Sequence, residues 1–134
     1  MQEKILNKRI YQHYRRNDCT VFSEVPFMSR IIDIVLLDKD IITFELKISN
    51  WRKSIEQMKE HRIAVDFCYL CVPKQLASPK KIESIIHELK FNGFGLVLWN
   101  EQYGGTETIL EAQRSKYKNG YCSNRLRSRL RLRA

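Results

Sequence analysis

The sequence predicts a mixed α/β (α+β) fold, in which helices flank a central sheet. Three observations lead to this prediction. Segments whose apolar residues recur at helical spacing alternate with short apolar segments rich in Val and Ile. Two of the apolar segments are separated by only three polar residues, which is typical of a β-hairpin. A chain of 134 residues has room for one hydrophobic core, so we expect one sheet and the element order αβββαβαβ.

The first half of the chain is predicted to form a helix, a short strand and the hairpin. The helix covers about residues 3–16, and the strand covers residues 20–27. The hairpin strands are residues 30–37 and 41–48, joined by the polar turn 38–40. One side of the first helix presents Glu3, Leu6, Ile10 and Tyr14.

The second half of the chain is predicted to alternate helices with strands. Asn50 is expected to cap a helix that runs to about Ala64. Ser78 followed by Pro79 is a favourable start for the next helix, which the pair Asn92-Gly93 ends. Apolar strands are expected at residues 66–72 and 94–99, and a short strand after two glycines ends near residue 110.

Asp33, Glu45 and Lys47 are predicted to lie on one face of the hairpin. If the turn centres on Lys39, residues whose numbers add up to 78 lie opposite each other, which places Asp33 across from Glu45. Lys47 shares their face because side chains alternate along a strand. The other face is wholly apolar and is expected to pack against helices; it comprises Ile32, Ile34, Leu36, Ile42, Phe44, Leu46 and Ile48.

The two opposed carboxylates indicate a metal site. Like charges across two strands destabilise each other, and burial increases the cost unless a positive charge lies between them. A divalent cation removes that conflict, and carboxylate oxygens suit Mg²⁺ or Mn²⁺ better than a soft metal. The alternative is an ordinary hairpin, in which Glu45 pairs with Lys47 at the surface and Asp33 lies near a strand end.

The chain resembles the PD-(D/E)XK nuclease superfamily, whose members have a restriction-endonuclease-like fold with an αβββαβ core. The resemblance rests on Asp33, a gap of eleven residues and the run Glu45-Leu46-Lys47, with a helix before the hairpin and a helix and strand after it. It implies that Asp33, Glu45 and the backbone carbonyl of Leu46 hold the metal. It also implies that Lys47 orients or polarises the attacking water and the phosphate. The resemblance covers residues 1–112, with one departure where Ile32 stands at a position that is often Pro.

The resemblance adds two residues to the expected site. It assigns Glu3, on the first helix, to assisting the metal or positioning water, although an acid at a helix start also complements the helix dipole. It assigns Gln57, on the helix after the hairpin, to contact with the active site or the DNA backbone. His61 lies one turn after Gln57. His61 could act as a proton shuttle, but we expect it to be a surface residue without a role in the site.

The four cysteines are predicted to be reduced and mostly buried. Cys68 and Cys71 have the spacing of half a zinc site, but three residues apart on a strand means opposite faces. Cys19 and Cys122 supply no second pair. No apolar run approaches the length that spans a bilayer, and the first residues lack the apolar stretch of a signal peptide. We therefore expect a cytoplasmic protein without a membrane partner.

Positive charge is concentrated at the carboxy terminus. All fifteen acids lie at or before Glu111, against sixteen of the twenty-four Lys and Arg residues. We expect residues 113–134 to form an arm outside the core that binds nucleic acid, with Tyr117 and Tyr121 able to stack on unpaired bases. The alternatives are a solvated tail and a strand that adds to a sheet edge. The arm's cations are Arg114, Lys116, Lys118, Arg125, Arg127, Arg129, Arg131 and Arg133.

Taken together, the residues and the resemblance lead us to expect a nuclease that uses Mg²⁺ or Mn²⁺ to hydrolyse phosphodiester bonds in DNA, with RNA as a further possible substrate. A single site cuts one strand, so cleavage of a duplex favours a homodimer. The alternative from another class is a non-catalytic nucleic-acid-binding module with the same fold. Restriction or defence, repair and junction resolution are equally compatible with the sequence.

Overall fold

The chain folds around one six-stranded mixed sheet with helices on both faces, as the sequence predicts. The structure is a computed structural model that describes residues 1–133. The strands follow each other across the sheet in chain order, from β1 to β6. The helices are α1 (Glu3–Arg16), α2 (Trp51–His61), α3 (Pro79–Phe91) and α4 (Gly120–Arg133), and the strands are β1 (Val21–Phe27), β2 (Arg30–Leu37), β3 (Ile41–Leu46), β4 (Phe67–Pro73), β5 (Gly95–Asn100) and β6 (Gly105–Leu110).

The direction of the strands changes in the middle of the sheet. β1, β2 and β3 form an antiparallel meander, whereas β4 and β5 run parallel to β3. Each parallel step needs a crossover, which α2 and α3 provide. β6 returns antiparallel to β5. No helix among the described residues is both long and apolar enough to cross a membrane.

The core has two parts, one on each face of the sheet. Leu6 and Ile10 of α1 cover one face, where they pack with Ile34 and Phe44. The other face is covered by α2, α3 and α4 and holds the larger cluster of buried side chains. Cys68 belongs to the larger cluster and Cys71 to the smaller one, which confirms that they point to opposite faces of β4. All four cysteines are free thiols.

The register of the hairpin is confirmed. Ile34 lies opposite Phe44 and Leu37 opposite Ile41, so residue numbers across β2 and β3 add up to 78. β3 ends at Leu46 and not at Ile48, and Lys47 follows directly.

The expected apolar face is wrong at one position, Ile32. It packs in the larger cluster together with Val35, whereas Ile34 lies in the cluster beneath α1. β2 therefore changes face at Asp33, between them. On the neighbouring strand, Glu24 stands across from Asp33 and has a left-handed backbone with φ of 51°. A non-glycine residue rarely takes that conformation, and it interrupts the alternation of both strands.

The basic carboxy-terminal segment is part of the folded unit, contrary to the expected arm. Residues 120–133 form α4, in which Leu126 and Leu130 are fully buried in the larger cluster. The two leucines lie four residues apart, which places them on one face of a helix. The alternation of Arg and Leu suggested a strand, and that alternative is also wrong.

A buried carboxylate fastens the segment before α4 to the sheet. Asp66 is 1% exposed and accepts a hydrogen bond from the backbone N of Ile41 at 2.8 Å. Its Oδ1 also accepts from Arg114 at 3.1 Å and from Lys118 at 2.8 Å. Ser115 donates its backbone N to the carbonyl of Asp66 at 2.7 Å. Two of the cations expected to bind nucleic acid are thus structural partners of a buried acid.

Candidate active site

Asp33 is held in place from three elements at the point where β2 changes face. Its Oδ2 accepts a hydrogen bond from the backbone N of Leu46, on β3, at 2.9 Å. Its backbone carbonyl accepts from Nδ2 of Asn7, on α1, at 3.2 Å. The Asn7 side chain accepts in turn from Oγ of Ser23, on β1, at 2.6 Å. Asn7 was not among the predicted site residues, because a polar residue on the partly buried side of a helix has no distinctive sequence signal.

Asp33 and Glu45 come together as a buried carboxyl pair. Glu45 is 2% exposed, and Asp33 is partly buried. Burial, together with the charge of Glu45, raises the pKa of Asp33 to about 7. Burial likewise raises the pKa of Glu45 to about 7, against the opposing influence of Asp33 and Lys47. The pair therefore retains a proton near neutral pH, because two negative charges at this place are too costly without a cation.

Lys47 and Glu3 flank the carboxyl pair. Nζ of Lys47 lies 3.8 Å from Oε1 of Glu3, with 19% of the lysine side chain exposed. The positive charge of Lys47 opposes the rise in the pKa of Glu45, whereas the carboxylate of Glu3 adds to the rise in the pKa of Asp33. The structure thus brings Glu3, Asp33, Glu45 and Lys47 into one neighbourhood.

α2 contributes a buried polar stripe on the same side of the hairpin. His61 is 2% exposed, and its Nδ1 lies 3.1 Å from Oε1 of Glu45, but the two atoms are not aligned for a hydrogen bond. Burial lowers the pKa of His61 to about 4, so its imidazole is neutral. The expectation of a surface histidine is wrong. The sequence signal for its burial was its helical spacing from the apolar Met58, three residues earlier on the same helix.

Buried polar atoms without a hydrogen-bond partner are concentrated in this region. Within residues 1–133 they are Oε1 of Glu45, Oγ of Ser54, Oε1 of Gln57 and both ring nitrogens of His61. Folded proteins seldom leave such atoms unpaired, and all of these belong to β3 or α2. Gln57, the predicted partner of the site, lies one turn before His61 on this stripe.

The donor set suits a hard divalent cation. The predicted ligands are the carboxylates of Asp33 and Glu45 with the carbonyl of Leu46, and oxygen donors of this kind favour Mg²⁺ or Mn²⁺. The unpaired Oε1 of Glu45 and the raised pKa of both carboxyls are relieved by a positive charge. No three side chains of His, Cys, Asp and Glu in the described part of the chain are grouped so as to hold an ion by themselves.

Some of the eight carboxy-terminal cations contact a carboxylate or carbonyl of the protein's described residues, and the others do not. Arg114 pairs with Asp40 and Asp66, and Lys118 pairs with Asp66. Arg127 donates to the carbonyl of Lys39, and Arg133 donates to the carbonyls of Ser23 and Glu24. The exposed cations that have no carboxylate or carbonyl partner among residues 1–133 are Lys116, Arg125, Arg129 and Arg131.

Comparison with known proteins identifies the fold alone. No family model matches the chain, and no curated protein matches it significantly. Among solved structures, the chain is similar to a protein of unknown function from Silicibacter pomeroyi, with a TM-score of 0.71 and 17% sequence identity. The match covers 99% of this chain and 86% of that one. The α/β architecture is therefore shared with a protein from Silicibacter pomeroyi over almost the whole length of the chain.

Proposed function

We propose that the protein is a divalent-metal-dependent nuclease that hydrolyses phosphodiester bonds in DNA. The observation that carries the proposal is the carboxyl pair of Asp33 and Glu45, buried side by side with an unpaired oxygen and with Lys47 nearby. A protein gains nothing in stability from such a pair. A cation-binding catalytic site explains why it is present.

In this mechanism Asp33, Glu45 and the carbonyl of Leu46 would hold the cation, which would supply a more acidic water and a positive charge that offsets the charge of the phosphate. Lys47 adds a positive charge where the pentacovalent phosphate becomes more negative, and so lowers the barrier. Glu3 limits the positions that Lys47 can take, through the contact at 3.8 Å. The neutral imidazole of His61 closes the buried side of Glu45 against bulk water.

DNA is the proposed substrate because the chain carries a net charge of +9 and several exposed cations lie on α4. One site cuts one strand, so the proposal includes a homodimer where both strands of a duplex are cut. A cytoplasmic location agrees with the free state of all four thiols.

The test is cleavage of single-stranded, duplex, flapped and four-way-junction DNA with Mg²⁺, with Mn²⁺ and with a chelator. We expect cleavage that requires a metal and is lost in Glu45→Gln. Glu107→Gln is the matched control, because it makes the same chemical change on β6, three strands away in the sheet. If wild-type protein binds DNA but cuts none of these substrates, the non-catalytic binding module is the better description. If Glu45→Gln cuts as fast as wild type, the site lies elsewhere.

A further inference from the structure

A groove runs between α4 and β1. Its volume is about 820 Å³. Its apolar lining comes from Pro26 on β1 and from Tyr121 and Leu132 on α4. Tyr121 is 69% exposed and Leu132 is 88% exposed. Exposed large apolar side chains gathered along one groove mark a binding surface.

The charge of the groove is strongly positive. Arg125, Arg129 and Arg133 line it, and Glu24 is the one carboxylate among its lining residues. The three arginines are spaced four residues apart, so they form a row along α4 with about 6 Å between successive members. Arg125 also lies over the ring of Tyr121, 5.8 Å from its centroid. A row of guanidinium groups beside an aromatic and apolar wall matches a polymer that has a phosphate on one side and a flat ring on the other.

We infer that this groove binds an unpaired strand of nucleic acid, with its phosphates on Arg125 and Arg129 and its bases against Tyr121 and Leu132. A duplex does not fit this description, because its bases are stacked on each other and are not available to an aromatic side chain. Single-strand sites combine a cationic track with stacking side chains in this way. The inference rests on the proposed function and names its substrate class.

The groove also leads toward the carboxyl pair. Arg133 donates to the carbonyls of Ser23 and Glu24 at 2.8 Å and 3.2 Å, which ties the end of α4 to β1. Glu24 stands across from Asp33 on the next strand, and neighbouring strands are about 5 Å apart. An unpaired nucleic-acid strand that fills the groove therefore ends beside the β-hairpin that carries Asp33 and Glu45.

The test measures binding apart from cleavage. A labelled oligothymidylate of about 15 nucleotides is titrated with the full chain in the presence of a chelator, and a duplex of equal length and an oligouridylate are titrated in parallel. We expect the unpaired strands to bind more tightly than the duplex. Equal or tighter binding of the duplex would overturn the inference.

Two pairs of variants locate the binding. Arg125→Gln with Arg129→Gln should weaken oligothymidylate binding roughly tenfold or more, and should reduce the slope of log affinity against log salt by about 1.4. Lys80→Gln with Lys90→Gln removes the same charge from α3, where both lysines are exposed, and should leave that slope unchanged. Tyr121→Ala should lower affinity roughly tenfold. Tyr103→Ala, at another tyrosine that is 81% exposed, should not.

The outcomes separate this inference from the proposed function. If the wild-type protein cuts no DNA but the groove variants lose binding of the unpaired strand, the groove inference is supported and the proposed nuclease activity is refuted. If the protein cleaves DNA with metal and the groove variants bind the unpaired strand as tightly as wild type, only the groove inference is refuted. Equal losses in the α4 and α3 charge variants, or an equally tight complex with poly-glutamate, show that only net charge is recognised and overturn the inference. The arginine variants leave Leu126 and Leu130 in place, and a melting curve checks their fold.

Discussion

At the scale of single residues, the candidate site is defined by the proton that Asp33 and Glu45 share. In water each carboxyl ionises near pH 4, but here the burial of both groups and the charge of Glu45 beside Asp33 keep the pair partly protonated near neutral pH. In the proposed function a divalent cation would replace that proton, so metal affinity should rise with pH. Stability and the proposed activity would therefore depend on the same two groups.

Stability without metal should fall as pH rises toward neutral and beyond. Since the pKa of Asp33 and of Glu45 is raised to about 7, the folded protein binds more protons than the unfolded chain between about pH 4 and pH 7, and loses stability across that range. His61 acts in the opposite sense, because its pKa is lowered to about 4 and the unfolded histidine titrates near 6.5. Above about pH 6.5 only the loss from the carboxyls remains.

Glu45→Gln should reduce this loss, because it removes one of the two carboxyls and the charge that raises the pKa of Asp33, while the burial of Asp33 remains. In a chelator, the melting temperature of the variant should exceed that of wild type by an amount that grows between about pH 6 and pH 8. Thermal melts over that range measure it, with Glu107→Gln as the control. A difference that is constant with pH would show that the carboxyls do not share a proton. Added Mg²⁺ or Mn²⁺ should stabilise wild type at pH 8 and stabilise the variant much less.

Lys47→Ala should reduce turnover more than substrate affinity. The proposed contribution of Lys47 is made in the transition state, so kcat should fall by roughly tenfold to a thousandfold while the dissociation constant for DNA changes little. Single-turnover cleavage and equilibrium binding measure the two quantities. A variant that loses affinity and keeps kcat would make Lys47 a binding residue only.

At the scale of elements, α2 combines a packed face with a polar stripe. Ile55 and Met58 fill the core, whereas Ser54, Gln57 and His61 carry buried atoms without partners. Leaving a buried polar atom unpaired costs about 1–3 kcal/mol. The stripe thus lowers stability next to the candidate site, as functional sites often do.

Ser54→Ala should stabilise the protein. It removes an unpaired hydroxyl at a fully buried position and introduces the best helix former, so we expect a gain of about 1 kcal/mol in the free energy of unfolding. Chemical denaturation measures it. A loss of stability would mean that the hydroxyl has a partner, such as an ordered water, that matters for the fold. Cleavage by this variant shows whether Ser54 also serves the site.

α4 is the element whose sequence is most easily misread. Leu130 is fully buried, and Leu132 is 88% exposed on the same helix. Leu130→Ala should cost about 2–5 kcal/mol in the free energy of unfolding, and Leu132→Ala should cost close to nothing. Denaturation of the two variants provides a matched comparison. Equal effects would contradict the packing of α4 on the sheet.

At the scale of the whole molecule, the carboxy-terminal segment contributes to both charge and core. Removing residues 113–134 takes away Leu126 and Leu130 and leaves the buried carboxylate of Asp66 without Arg114 and Lys118. Leaving a buried carboxylate without its charged partners is destabilising, and the loss of two fully buried leucines adds to the cost. We expect the truncated chain to be unfolded or to melt far below wild type by circular dichroism. If the truncated protein melts within a few degrees of wild type, residues 113–134 are an arm outside the core, as the sequence first predicted.

The sequence alone determined the sheet and the hairpin register, and from that register it predicted that Asp33 lies near Glu45. These depend on alternation and on a three-residue turn, which are local, so neighbouring residues suffice to predict them. Only the tertiary structure decided that β2 changes face at Asp33, that His61 is buried beside Glu45 and that α4 belongs to the core. Each of these depends on a contact between residues far apart in the chain. The local sequence of a basic segment that alternates Arg and Leu does not decide between a helix and a strand. The segment forms a helix because only that conformation buries both Leu126 and Leu130 against the apolar surface of the sheet.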